Sequence, residues 1–166
     1  MKTYSAEQLN NIAFALGGMG AGTICFTGWG SLDSMAIRHR PEKFFTPTAF
    51  SAITVLNEKN ETRLLEAPVP KVHYFTNVPE AGRGFFVTPK GKTYGLPRFT
   101  EGEFSAAFPF ATLGLNDSAF PIRAEVKAWS PFVPSDEDAS SLPFAGLEYI
   151  LLNKSEEALD DLFYPQ

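Results

Sequence analysis

The chain has 166 residues, enough for one domain with a sizeable core, and its charge and hydrophobic content are those of a soluble globular protein, not a disordered one. Its formal net charge is −5, with Lys and Arg dispersed, which excludes the basic patch a nucleic-acid binder needs for phosphates. Sixteen Phe and five Tyr favour strands, and 13 Gly with 13 Pro are too many for long helices.

In chain order, Ser5-Ala6-Glu7-Gln8 fits a capping box and predicts a helical turn over 6–10. No apolar h-region follows Lys2, and no apolar run approaches a membrane span, so the chain as given reads as cytoplasmic unless a leader has been removed. Ile12 to Leu16 and Thr23 to Thr27 predict two strands around the glycine-rich Gly17 to Gly22, a hairpin. Gly28-Trp29-Gly30 turns the second strand, and the flanking glycines suggest an exposed Trp29. Ser34 to Arg40 predicts a third extended segment stopped by Pro41.

Thr48 to Leu56 and Thr62 to Glu66 predict a hairpin around Asn57 to Asn60, ended by Pro68 and Pro70. His73 to Thr76 reads as an edge strand, and Asn77 to Gly91 as a loop. Thr93 to Phe99, Phe104 to Phe108, Ala111 to Leu115 and Ile122 to Trp129 are successive strands. Ile122 to Ala128 alternates strictly, so one face is buried and one is wet. Ser130 to Ser141 reads as a loop, and Leu142 to Asn153 as the longest strand. The tail after Lys154 fits either a short helix capped by Ser155 or a strand. Many short strands with regular turns predict an all-β antiparallel sandwich, a single domain over 1–166.

The chemistry-bearing motifs are sparse. Gly17, Gly20 and Gly22 lack dinucleotide-loop spacing, and no helix pattern follows them. Cys25, the only cysteine, sits in an alternating strand and reads as a small apolar residue. Asp136-Glu137-Asp138 matches no calcium loop and reads as a solvated loop. A glycosidase needs two carboxylates flanking the scissile bond, yet nothing pairs Asp33, Glu66, Asp117, Glu125 or Glu148. Tyr94 and Trp129 read as core aromatics, while Trp29 divides evenly between core packing and stacking on a sugar face. Arg38-His39-Arg40-Pro41 is the most site-like stretch, suited to binding a carboxylate or reaching a neighbouring domain. No residue pattern calls for a metal or a cofactor.

Seven stretches, taken in order, resemble the N-terminal domain of glycoside hydrolase family 116, which includes non-lysosomal glucosylceramidases and bacterial β-glucosidases. They are Ile12 to Thr23, Arg38 to Pro41, Tyr94 to Phe99 and Phe108 to Ala111, then Trp129 to Pro134, Asp136, and Ser140 to Pro143 leading to Glu148-Tyr149. The resemblance implies a β-sandwich that precedes an (α/α)6 barrel, with the barrel carrying the catalytic carboxylates of a retaining β-glycosidase. It therefore implies that this chain is non-catalytic, that its partner is that barrel, and that a carbohydrate or glycolipid substrate is met through the barrel. Trp29, Arg38, His39 and Arg40 are the implied cleft-rim or interdomain residues. His39 departs from an expected Asn in an Asn-Arg-Pro signature. The resemblance also implies a sandwich truncated at its C-terminal end, which predicts an exposed apolar face or an open strand edge near the tail. The alternative is a stand-alone carbohydrate-binding or interaction module.

Overall fold

The computed structural model describes residues 2–42, 49–71, 75–77, 87–89, 93 and 95–165. The fold is all-β and antiparallel, as the alternating pattern predicts. β1 (Lys2–Ser5) leads into a 3-10 turn (Ala6–Asn11), in which Gln8 Oε1 accepts from the Ser5 N–H at 3.2 Å, half of the expected capping box. β2 (Ala13–Leu16) and β3 (Thr23–Thr27) form the glycine hairpin, and β4 (Leu32–Ile37) and β5 (Arg40–Glu42) extend it to a sheet in the order β2-β3-β4-β5.

β6 (Ser51–Val55) pairs with β7 (Glu61–Leu64) as predicted. β8 (Phe75–Asn77) pairs with β9 (Val87–Pro89). β10 (Glu101–Ala107), β11 (Phe110–Asn116), β12 (Ile122–Trp129) and β13 (Gly146–Asn153) form a meander. The four-residue helix α1 (Glu137–Ser140) lies between β12 and β13. β14 (Asp161–Pro165) resolves the ambiguous tail as a strand, paired antiparallel to β6 from Asp161↔Val55 to Pro165↔Ser51. β1 closes the opposite side of the meander, from Lys2↔Ala106 to Ser5↔Glu103.

The core lies on one face of this five-stranded sheet. Alternation places Ala111, Leu113 and Leu115 of β11 inward, with Ile122, Ala124, Val126 and Ala128 of β12 beside them. Phe26 of β3 meets Phe104 of β10 at 5.9 Å between ring centroids, and Ile53 and Val55 of β6 belong to the same core. Phe99 and Phe120 meet edge-to-face at 5.6 Å.

Several sequence expectations are corrected. Ser34 to Arg40 is not one strand. β4 and β5 are joined by a two-residue turn at Arg38 and His39, whose φ angles are +54° and +59°. Such a turn matches the twist of the flanking strands, which offsets the cost of left-handed backbone at two non-glycine residues. Pro41 does not stop the strand, because β5 is an edge and needs no N–H there. Thr93 to Phe99 is not a strand: its described residues form turns, with one isolated bridge from Arg98 to Leu64. Leu142 to Asn153 is strand only from Gly146. Trp29 is not exposed but 3% accessible. Its glycine neighbours let the backbone dive inward, since a Cβ on Gly28 would lie 2.4 Å from the Leu9 carbonyl oxygen and one on Gly30 2.7 Å from Leu113. His73 and Tyr94 lie outside the described residues.

Candidate interdomain surface

Motifs far apart in the sequence meet at one end of the meander. The β10–β11 turn carries Phe108 and Phe110, which are 62% and 55% exposed. The Phe108 ring stands edge-on to Phe132 at 5.1 Å. Trp129 stands edge-on to Phe144 at 5.5 Å, over Gly146, where any Cβ would meet the indole within 2.1 Å. Val133 and Leu142, on the same loops, are also exposed.

Hydrogen bonds fix these loops to each other. The Ser130 N–H donates to the Pro109 carbonyl at 3.1 Å, and Ser130 Oγ accepts from the Gly17 N–H at 3.1 Å. The Met19 N–H donates to the Ser140 carbonyl at 2.8 Å. Gly18 is a glycine because a Cβ there would sit 2.2 Å from the Leu142 carbonyl oxygen. Ser140 is fully buried, its hydroxyl accepting from the Val133 N–H at 2.9 Å and donating to the Val133 carbonyl at 3.0 Å. Asp136 is the N-cap of α1, accepting from the Ala139 N–H at 2.9 Å. A Cβ on Gly22 would lie 3.1 Å from the Ala36 carbonyl oxygen, and Thr23 pairs with Ala36, two residues before the exposed turn of Arg38, His39 and Arg40.

The result is a set of exposed apolar side chains on loops held to one another by hydrogen bonds. An exposed apolar patch marks contact with another folded body. On β14, Leu162, Phe163 and Tyr164 are also exposed, on alternating faces of the strand, and the Tyr149 and Phe163 rings lie 5.4 Å apart.

At the opposite end lie two buried carboxylates, and each is held by an arginine. Arg98 Nε donates to Glu66 at 2.9 Å, and Arg63 Nε donates to Asp117 at 3.0 Å. Burial pushes the Glu66 carboxyl above its ordinary value, although the charge and hydrogen bond of Arg98 pull against it. Burial also pushes Asp117 up, but the Ala119 N–H, the hydrogen bond and charge of Arg63, and the charge of Lys154 outweigh it, and its net shift is downward. Two carboxyls shifted in opposite directions resemble an acid and a nucleophile. These two are only 3% and 2% accessible. Their role is to anchor the 63–66 and 93–99 segments, since Arg98 also donates to the carbonyls of Thr93 and Leu96. Glu125 faces Lys127 at 3.7 Å, Glu148 stands opposite Lys127, and Asp33 accepts from the Ser34 N–H. Burial, then the Asp33 carboxylate, push the Cys25 thiol upward, so it stays protonated and poorly nucleophilic.

The profile of the family described as "beta-glucosidase 2, glycosyl-hydrolase family 116 N-term" matches residues 13–161. The chain belongs to this family. No curated protein matches it. Four stretches of the family-like sequence, Gly17–Gly22, Phe108–Ala111, Trp129–Pro134 and Ser140–Pro143, are tied together by these contacts. The interdomain candidates read from the sequence were Trp29, Arg38, His39 and Arg40; Trp29 is buried, and the other three are exposed at the β4–β5 turn. Phe108 and Phe132 lie within the family-like stretches but were not singled out, and Phe144 lies outside them; their exposure follows from loop docking rather than from local pattern. No helix among the described residues is long and apolar enough to cross a membrane.

Proposed function

We propose that this chain is the non-catalytic N-terminal domain of a retaining β-glycosidase of the β-glucosidase or glucosylceramidase type. It supports an (α/α)6 catalytic barrel, and it does so through the aromatic end. The observation that carries this reading is the hydrogen-bonded array that presents Phe108, Phe110, Phe132 and Phe144 to solvent. Apolar side chains fixed in place outside a core lose little entropy on docking, which suits a permanent interdomain contact. The basic turn at Arg38 to Arg40 would meet carboxylates on the partner. The pairing of Glu66 and Asp117 with arginines supports the non-catalytic half of the reading, because neither carboxylate is free to reach a glycosidic oxygen.

Two measurements test it. The chain alone, assayed on a chromogenic β-glucoside, should give no turnover; turnover abolished by a Glu→Gln or Asp→Asn change would reverse the assignment. In a polypeptide that also carries the barrel, Phe108→Asp with Phe132→Asp should weaken domain cohesion, read as two separated unfolding transitions. A single unchanged transition removes the aromatic end as the contact.

A further inference from the structure

A cleft of about 800 Å³ opens far from the aromatic end, where β1 stops at Ser5, opposite Glu103, and among the described residues no strand continues beside Glu101 and Gly102 on that side. The 3-10 turn and the Pro68–Lys71 segment form its walls. Its size is within the range of small-molecule sites. Leu9, Pro68 and Pro70 supply apolar surface. Glu7, Glu103 and Arg123 supply polar groups that, among the described residues, make no side-chain hydrogen bond or ion pair.

Gly114 lines the same cleft from the interior of β11. A glycine inside a strand weakens it, and it requires a reason. The usual structural reasons are absent here. Its φ is not in the left-handed region, its pairing with Glu103 and Glu125 is regular, and a Cβ would meet nothing nearer than the Glu103 carbonyl at 3.8 Å and the Arg123 guanidinium at 4.0 Å. Space is therefore kept open above the strand, between a carboxylate-bearing strand and a guanidinium.

We propose that this cleft binds a neutral saccharide. Sugar hydroxyls both donate and accept, so they satisfy carboxylates and a guanidinium together, while C–H faces cover the prolines and Leu9. An anionic ligand would be repelled by Glu7, Glu101 and Glu103, and a purely apolar one would leave the three polar groups desolvated without partners. The site is separate from the proposed barrel contact and does not depend on it.

The test is titration of the full isotope-labelled chain with methyl β-D-glucopyranoside and with cellobiose, followed by amide chemical shifts, with glycerol as control. The expected result is saturable shifts confined to Gly102, Gly114 and Asn116, absent with glycerol. Gly114→Leu, which the open space accommodates, should abolish them, and Arg123→Met should weaken binding about tenfold or more. Absence of saturable shifts with either sugar overturns the proposal, as does an equal response to glycerol. Binding that survives both substitutions also overturns it. If Gly114→Leu does not fold, Arg123→Met alone decides.

Discussion

Removing the guanidinium of Arg98 tests the account of the buried carboxylates most sharply. Both side chains of the Arg98–Glu66 pair are nearly inaccessible, at 6% and 4%. Arg98→Met keeps much of the side-chain volume but strands the Glu66 carboxylate without its charge partner. Breaking a buried pair in this way costs about 3–5 kcal/mol. For a chain of this size that lowers the melting temperature by roughly 6–20 °C. The loss must depend on pH. Burial holds Glu66 above its ordinary 4.5, so the stability this group contributes is complete below that value and fades as pH climbs through the raised folded value. Without Arg98 the value rises further, so the penalty is largest at neutral pH and shrinks as pH falls toward 4.5. Urea unfolding of wild type, Arg98→Met and the double variant Glu66→Gln/Arg98→Met, at neutral and at acidic pH, reads all three effects. The double variant should recover part of the loss at neutral pH. A single variant within about 1 kcal/mol of wild type, or a pH-independent loss, refutes the argument.

Asp117 should behave with the opposite sign: because its folded value is depressed below 3.8, its contribution is present above that pH and is lost on acidification, and Asp117→Asn should flatten the acid limb of the stability profile. Gly146→Val drives a side chain into the Trp129 indole and should cost about 1–3 kcal/mol with a shifted tryptophan emission maximum. Phe104→Ala, at the centre of the core, should cost about 3–5 kcal/mol in chemical denaturation. By contrast, Phe108→Asp should change the stability of the isolated chain by no more than about 1.5 kcal/mol, since it forfeits only the Phe132 edge contact.

Most strands were legible because alternation is a local signal. Ile122 to Ala128 reads off directly as buried and wet faces, and the structure agrees residue by residue. β1 was not legible and β14 was only one of two readings of the tail, since their pairing partners, β10 and β6, lie across most of the chain and nothing local announces them. The Arg38–His39 turn was missed because neither residue is the Asn or Gly that usually adopts left-handed backbone. Trp29 was misplaced because Gly28 and Gly30 read as solvent turn signals, whereas both serve close packing against Leu9 and Leu113. The aromatic end was legible as motifs but not as a place: the bonds from Gly17 to Ser130 and from Met19 to Ser140 exist only after folding.

The long-range pairing of β1 orders events during synthesis. Lys2 aligns with Ala106, so β1 must wait, unsatisfied, until β10 has left the ribosome. The sequential hairpins β10 to β13 need only short loop closures between neighbours, and they form the natural template onto which the waiting amino-terminal strand is captured.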